Sequence, residues 1–401
     1  MTPWLAVVGI GEDGLEAVSP AAGALIAAAA TLVGGERHLA MVPADDRPRL
    51  TWGDNLHQIV GCIESMRGTP VCVLASGDPF DYGIATALAR RFAADEMTVV
   101  PAPGAFALAC ARLHWSRPEV ETLTLHGRPL ALLDLHLRPG ARLLILAEDG
   151  GTPLAVARHL GERGFGPSPM TVLEHMGGPR ERRLDGRAES WSETRTADLN
   201  TIAVECRAAP TARLVPRVPG LADALYEHDG QLTKREVRAA TIAALMPLPG
   251  QRLWDIGAGC GSVAIEWLRA EGTAEAVAVE RHAGRRAMIT RNAFCFGVPR
   301  LAVIDGEAPA VLAGLPLPDA VFVGGAVATP GVLEACWTAV PSGGRLVANS
   351  VSLEAEARLI AFHHEHGGEL IRIAISHADG IGRMTVMRPA MPVLQYAGTK
   401  P

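Results

Sequence analysis

The feature that most constrains this chain is a glycine-rich stretch at Arg252–Glu266, which reads RLWDIGAGCGSVAIE. The apolar residues before Asp255 predict a strand, and those after the glycines predict a helix that begins at once. Gly257, Gly259 and Gly261 stand at alternate positions between them. Glycine is needed where a backbone turns tightly and approaches a ligand, and a helix N-terminus offers free N–H groups. The stretch therefore predicts an α/β domain with a nucleotide-cofactor turn.

The spacing of glycines and acids indicates which nucleotide such a turn would hold. A dinucleotide turn reads G-x-G-x-x-G, whereas this one reads G-x-G-x-G and follows an acid by two residues. A second predicted strand, 276–279, ends in Glu280, roughly twenty residues beyond the last glycine, where a carboxylate suits a ribose diol. The pattern resembles the first motif of class I S-adenosylmethionine methyltransferases, with Cys260 where threonine is common. The cofactor contacts that this resemblance implies are Asp255, Gly257, Ala258, Gly259, Cys260, Gly261 and Glu280. The alternative is a glycine-rich loop of an α/β domain without a cofactor.

Three turns in the first half of the chain follow predicted strands. Strand 4–8 runs into GIGEDG, strand 71–75 into SGDPFDYG, and a later strand into VVPAPGAFA. In this order they resemble the tetrapyrrole methylase family over residues 1 to about 205, although Glu12 and Asp13 stand where that family has small residues and glycine. The cofactor contacts implied are Gly9, Gly11, Gly77, Asp78, Pro79, Gly83, Pro103 and Gly104. Ordinary strand-to-helix turns are the alternative interpretation.

In the rest of the first half, strands are predicted at 143–148, 170–174 and 201–206 and a helix at 152–162, and this alternation favours α/β domains with crossover connections. After Cys206, the segment AAPTARLVPRVPG contains three prolines, which remove backbone donors and fix φ, so we expect no regular element there. We expect residues 1–208 to form a tetrapyrrole methylase (class III) fold of two α/β lobes. Residues 209–219 are predicted to be a linker, and residues 220–401 a Rossmann-like class I methyltransferase fold.

The predicted second domain begins with further motifs. Thr233 and Glu236 have the spacing of a helix capping box. The surrounding LTKREVR also resembles the start of precorrin methylase domains, in which the threonine reaches the cofactor. Segments LAVIDGEAP and DAVFVGG follow, where class I enzymes seat the adenine and the substrate. The further cofactor contacts implied are Thr233, Glu307, Ala308 and Gly324, and the substrate contacts are Lys234 and Gly325.

Taken together, the two halves resemble the fused precorrin-6Y C5,15-methyltransferases (decarboxylating) of cobalamin biosynthesis. The resemblance implies S-adenosylmethionine as cofactor and a tetrapyrrole (precorrin) as small-molecule substrate. It also implies methylation of carbon 5 by the first domain, and methylation of carbon 15 with loss of carbon dioxide by the second. Catalysis would then rest on positioning, and no general base is assigned from the sequence. Assembly into a homo-oligomer is expected.

Composition narrows the remaining classes of function. A formal charge of −6 gives no overall basic field, so we expect no nucleic-acid partner. Two rival functions are weighed against the methyltransferase of precorrins: an RNA methyltransferase, which would need a basic face, and a non-catalytic cofactor-binding module. Seven scattered cysteines without a C-x-x-C pair argue against a disulfide framework and against a zinc or other metal site. The apolar run 21–33 is shorter than the ~20 residues of a membrane span, and the first residues lack a basic leader, so a cytoplasmic location is expected. The sequence leaves two interpretations, solvent exposure or binding of an acidic ligand, for a group of arginines: Arg180, Arg182, Arg183, Arg187, Arg285 and Arg286.

Overall fold

The computed structural model describes residues 3–53 and 56–401, and its contacts separate two compact units. The first unit comprises the residues up to Leu130 together with Arg138–Arg213, and the second comprises Ala131–Leu137 and Leu214–Pro401. The division after Arg213 lies within the segment predicted to be a linker, and no helix or strand of the described residues lies between Glu205 and Asp223. The sequence does not anticipate that residues 131–137 belong with the second unit.

The first unit begins with a parallel sheet. Its strands are β1 (Leu5–Ile10), β2 (Thr31–Gly34), β3 (Arg49–Thr51), β4 (Val71–Ser76) and β5 (Met97–Val100). The helices that accompany them are α1 (Pro20–Ala28), α2 (Glu36–Met41), α3 (Leu56–Ser65), α4 (Ala85–Ala89) and α5 (Ala105–Leu113). The strand order is β3-β2-β4-β1-β5, and the paired strands run parallel. Every residue of β1 is buried, as expected where helices cover both faces of a parallel sheet.

A second, mixed sheet completes the first unit. Its strands are β6 (Val120–Thr124), β7 (Arg142–Leu146), β8 (Pro169–Glu174), β9 (Arg182–Arg187) and β10 (Asn200–Glu205), with helix α6 (Thr152–Glu162) after β7. The order is β6-β7-β10-β8-β9, and only the β6–β7 pair of this sheet is parallel. The strands and the helix predicted from 143 to 206 are therefore confirmed, whereas β9 was not predicted.

The second unit contains a larger sheet. Its strands are β11 (Arg252–Ile256), β12 (Glu275–Glu280), β13 (Ala302–Asp305), β14 (Ala320–Val323), β15 (Arg345–Ser350), β16 (Glu369–Ile373) and β19 (Val393–Thr399), and β17 (Ser376–Ile381) and β18 (Met384–Pro389) form a separate, mostly exposed hairpin. The helices are α7 (Arg235–Leu245), α8 (Ser262–Ala270), α9 (Ala283–Cys295), α10 (Val332–Ala339) and α11 (Leu353–His366). The sheet order is β13-β12-β11-β14-β15-β19-β16, with the first five parallel and β19 antiparallel to both neighbours. Counted from β11, the parallel part has the order 3-2-1-4-5, as in a doubly wound Rossmann-like sheet.

Short 3-10 helices occur in both units, at Gly14–Ala17, Arg117–Glu119, Leu130–Leu135, Ala188–Ser190, Asp223–Leu225 and Ala310–Gly314. Among the helices of residues 3–53 and 56–401, none is long and apolar enough to cross a membrane.

The predicted capping box is wrong. Helix α7 begins one residue later than expected, with Lys234 as its N-cap and without a side-chain cap hydrogen bond. The carbonyl of Thr233 instead accepts a hydrogen bond from the guanidinium of Arg238. A contact from a residue five positions along the chain therefore stands where the side-chain cap of Thr233 was expected.

Arg238, the last residue of LTKREVR, belongs to a buried ion pair. Its Nε donates to Glu266 Oε1 at 2.6 Å, and both side chains are almost completely buried. Glu266 also accepts hydrogen bonds from the N–H groups of Gly220 and Leu221 and from the Tyr226 hydroxyl. The pair thus fastens the start of the second domain to helices α7 and α8. The last residue of LTKREVR, a motif that the sequence associates with the cofactor, therefore has a structural role.

Candidate active sites

The three turns predicted in the first unit meet in space. Strands β4, β1 and β5 are neighbours, so the loops that follow their carboxyl ends share one edge of the sheet. A Cβ on Gly9 would overlap the Gly77 carbonyl oxygen. Gly77 itself has φ +50°, and a Cβ there would lie 2.8 Å from Gly104 Cα. The backbone contacts among these loops therefore require glycine.

A cavity of about 580 Å³ opens beside this group of loops. Its size is within the range of small-molecule sites. The predicted residues that line it are Gly11, Gly77, Asp78, Gly83, Pro103 and Gly104. Gly9 and Pro79 do not line it: Gly9 packs against the next loop, and the Pro79 carbonyl accepts from the Ala85 N–H at 3.1 Å. Their contribution is to the shape of the loops.

The GDPFDYG loop is shaped by its own side chains. Asp78 Oδ1 accepts from the Phe80 N–H at 2.9 Å, and the Tyr82 hydroxyl donates to the Thr122 carbonyl at 3.0 Å. Burial, together with the nearby charge of Asp78, raises the pKa of Asp81. Asp81 and Tyr82 also line the cavity. A carboxyl group that protonates more readily than usual thus stands at its wall.

A polar cluster that the sequence analysis missed lies on the same cavity wall. Glu12 forms an ion pair with Arg37 and lies 2.9 Å from His175 Nδ1. Burial favours a raised pKa for Glu12, but the His175 hydrogen bond and the Arg37 charge outweigh it and lower the pKa. His38 Nε2 lies 3.0 Å from Arg37 and 3.1 Å from Ser76 Oγ, and burial with the Arg37 charge lowers the pKa of His38 to about 4. The signal in the sequence that could have found this cluster is Glu12, which stands where the tetrapyrrole methylase family has small residues and glycine.

In the second unit, the glycine turn has the predicted backbone. Gly257, Gly259 and Gly261 have φ of +71°, +60° and +79°, values that favour glycine. Gly261 is the N-cap of α8, and a Cβ there would lie 2.9 Å from Ile289. The prediction of a tight turn between strand and helix is confirmed.

Glu280 lies at the carboxyl end of β12 and is buried. Its Oε2 accepts from the Gly259 N–H at 3.0 Å and its Oε1 from the His282 N–H at 2.9 Å. Each carboxylate oxygen has two acceptor positions, so one on each oxygen remains for a ligand. The carboxylate faces a cavity of about 170 Å³, and the other predicted residues that line it are Gly257, Glu307, Ala308 and Gly325.

Asp255 does not line this cavity. Its Oδ2 accepts from the Ala264 N–H at 3.0 Å, which fastens α8 to β11. Burial raises the pKa of Asp255 to about 7, and its Oδ1 has no hydrogen-bond partner among the described residues. The side chain therefore supports the turn from behind, instead of reaching into the cavity as expected.

Several other predicted residues also lie outside the lining of the second cavity. They are Thr233, Lys234, Ala258, Gly259, Cys260, Gly261 and Gly324. Lys234 is exposed, and Cys260 is buried with its carbonyl accepting from the Asn292 side chain at 3.0 Å. A Cβ on Gly259 would lie 3.1 Å from the Gln231 carbonyl, so the segment before α7 does approach the turn.

The arginines that the sequence left between solvent and ligand have carboxylate or carbonyl neighbours within the chain. These neighbours are Glu174 for Arg182 at 2.6 Å, Asp185 for Arg183 at 2.8 Å, the Pro167 carbonyl for Arg187 at 3.0 Å, Asp229 for Arg285 at 2.8 Å, the Arg281 carbonyl at 2.7 Å and Asp305 at 2.8 Å for Arg286, and Glu12 for Arg180 at 3.9 Å. Arg285 also lines the second cavity, together with Arg281 and His282, which the sequence analysis did not single out. Both arginines form ion pairs, Arg285 with Asp229 at 2.8 Å and Arg281 with Glu307 at 2.9 Å, so their charges on this wall are compensated.

Comparisons with known proteins match both halves of the chain. A family described as precorrin methyltransferase domain matches residues 224–400, and one described as tetrapyrrole (corrin/porphyrin) methylases matches residues 5–191. A protein of Sinorhizobium sp named precorrin-6Y C(5,15)-methyltransferase [decarboxylating] is 48% identical over 401 residues, which are 100% of this chain and 97% of that protein.

Two shorter relatives each match less than half of the chain. A cobalt-precorrin-7 C(5)-methyltransferase of Salmonella typhimurium is 33% identical over 178 residues, which are 44% of this chain and 88% of the relative. A Pyrobaculum calidifontis protein named "Probable cobalt-precorrin-6B C(15)-methyltransferase (decarboxylating)" is 35% identical over 182 residues, which are 44% of this chain and 93% of the relative.

Proposed function

The chain belongs to the family of precorrin-6Y C5,15-methyltransferases (decarboxylating), and from this membership we propose that each unit carries one methyl-transfer site. The chain methylates a precorrin at carbons 5 and 15 and removes carbon dioxide from the ring C acetate, a reaction of cobalamin biosynthesis. The first unit acts on carbon 5, and the second on carbon 15 and the acetate. The existence of separate shorter relatives named for each carbon supports this division.

The methyl donor of both sites is S-adenosylmethionine, which when bound supplies a methyl group already activated on sulfur. The residues of both sites fit such a donor. Gly77 and Gly257 have positive φ and line the two cavities, so at both places backbone without a Cβ faces the space for a ligand. In the second unit, Glu280 keeps acceptor positions for a ribose diol, and Glu307 and Ala308 lie where the adenine is expected.

The two sites work mainly by positioning. A meso carbon of a reduced tetrapyrrole is enamine-like and needs little further activation, so the protein must align carbon, methyl and sulfur and exclude water. The first cavity, with Gly11, Gly77 and Pro103 in its wall, has the volume of a small-molecule site. For decarboxylation, the conjugated macrocycle accepts the electron pair of the broken carbon–carbon bond, aided by an apolar surround.

The observation that carries this proposal is the presence of two cavities, one in each unit, at the carboxyl edges of parallel strands that end in glycine turns. Isothermal titration of the full chain with S-adenosylmethionine tests it. We expect two binding sites per chain, one of which is lost when either half is expressed alone. A stoichiometry of one site per chain would refute the proposal.

A further inference from the structure

His175 stands at a position where the structure departs from ordinary backbone geometry. It follows β8 directly and has φ +46°, in the left-handed region that non-glycine residues seldom adopt. Its side chain is 15% exposed and lines the cavity of the first unit. Strained residues of this kind concentrate at functional sites, where the surrounding structure holds them in place.

Glu12 fixes the protonation pattern of this ring. Oε2 of Glu12 lies 2.9 Å from His175 Nδ1. An ionised carboxylate only accepts hydrogen bonds, so Nδ1 carries the proton and the neutral ring keeps its lone pair on Nε2. Arg37 holds Glu12 from the other side, and Arg180 lies 3.9 Å from the same carboxylate. Gly178 gives Glu12 its space, because a Cβ there would lie 2.7 Å from Glu12 Cβ.

Methylation of carbon 5 requires a base, a requirement that rests on the proposed function of the first unit. The meso carbon forms a bond to the methyl group as the sulfur–methyl bond breaks, and sulfur leaves as a thioether. The carbon then carries both hydrogen and methyl, and the macrocycle carries an additional positive charge. Breaking the carbon–hydrogen bond returns the electron pair to the macrocycle and releases one proton, which a group in the cavity must take.

We propose that His175 takes this proton through Nε2 and is a catalytic residue of the first unit, with Glu12 as its positioning residue. His38 is less suited, because its Nε2 already faces Arg37 and Ser76. The cavity wall also carries the titratable side chains of Asp78, Asp81, His126 and Asp198. Asp81 is the principal rival base, because burial and the neighbouring charge of Asp78 raise its pKa. The test must therefore distinguish His175 from Asp81.

The first measurement needs no methyl donor. An enamine carbon exchanges its hydrogen with solvent by reversible protonation, which the same base and its conjugate acid accelerate. We expect the full chain to accelerate exchange of the carbon 5 hydrogen of bound precorrin in D₂O, followed by NMR. His175→Asn tolerates the left-handed backbone and should slow exchange by roughly 10²-fold or more, the usual contribution of a general acid–base group. Asp81→Asn should change it much less.

The second measurement is chemical rescue. His175→Gly suits the same backbone and leaves a space that imidazole can fill, so added imidazole should restore both exchange and methylation at carbon 5. Glu12→Gln should slow both and raise the primary isotope effect with a carbon 5 deuterated substrate, an effect that a merely structural role would not produce. Carbon 15 methylation by the same chain and donor binding by the first unit serve as controls for folding.

The outcomes separate the two proposals. If the unaltered chain methylates carbon 5 and His175→Asn does so with unchanged rate and isotope effect, the assignment of His175 is overturned. Loss of exchange in Asp81→Asn, with His175→Asn unaffected, would overturn it in favour of Asp81. If the unaltered chain leaves carbon 5 unmethylated while methylating carbon 15, the proposed function of the first unit fails, and this inference fails with it.

Discussion

Replacing Glu280 with alanine tests the cofactor site of the second unit. The carboxylate binds two backbone N–H groups, those of Gly259 and His282, at 3.0 and 2.9 Å. Two ribose hydroxyls would add two further hydrogen bonds to a charged group, each worth ~1.5–3 kcal/mol. Their loss alone predicts a weakening of at least about 3 kcal/mol, which is roughly a hundredfold in Kd. The released Gly259 N–H adds to the effect, because that bond orients the turn.

The assay is calorimetric titration of S-adenosylmethionine into the full chain, in which the two sites are resolved by affinity. Glu280→Ala should weaken one site by about a hundredfold and leave the other unchanged. Glu275→Ala is the matched control, because Glu275 lies at the opposite end of the same strand and pairs with Arg252 on the surface. Unchanged affinity at both sites in a folded Glu280→Ala protein would refute the assignment of the second cavity.

Two further predictions concern stability. Glu266→Ala removes the buried charge partner of Arg238 and leaves the guanidinium only the less buried carboxylate of Asp223, at 3.1 Å. The free energy of unfolding of the second unit should therefore fall by about 3 kcal/mol, the lower end of the cost of breaking a buried pair, measured by urea denaturation; a loss below about 1 kcal/mol would show that the ion pair contributes little. Residues 1–208 and 220–401 should each fold when expressed alone, because each half contains its own clusters of buried apolar residues; cooperative unfolding of the intact chain only, with both halves insoluble, would argue against this.

Local signals in the sequence predicted the parts of the sites that depend on local backbone. The three glycines of the second-unit turn have the expected positive φ, and Glu280 follows its strand as expected. The loops after β1, β4 and β5 were also found, because glycine and proline at strand ends report directly on chain geometry. These loops lie together because β4, β1 and β5 are neighbours in the sheet. The alternation of strands and helices reduces the number of possible strand orders but does not select this one.

Features that depend on side-chain packing were missed or predicted wrongly. Helix α7 has Lys234 as its N-cap without a side-chain cap hydrogen bond, and Asp255 Oδ2 accepts from the α8 backbone. His175 meets Glu12 across 163 positions of sequence, which no local pattern can reveal. The antiparallel strands at the end of the chain, such as β19 between β15 and β16, were likewise not predicted, since their pairing is decided by the completed sheet.

Product analysis of two glycine variants tests the central claim, that the two units hold separate active sites. Gly77→Val and Gly259→Val each place a branched side chain at a positive φ, +50° and +60°, in only one of the two loops. Mass spectrometry and NMR of the product should show that Gly259→Val methylates carbon 5 and retains the acetate, whereas Gly77→Val gives a decarboxylated product methylated at carbon 15 alone. Loss of every activity in either variant, with both units folded and the other site still binding S-adenosylmethionine, would contradict the claim and indicate one composite centre.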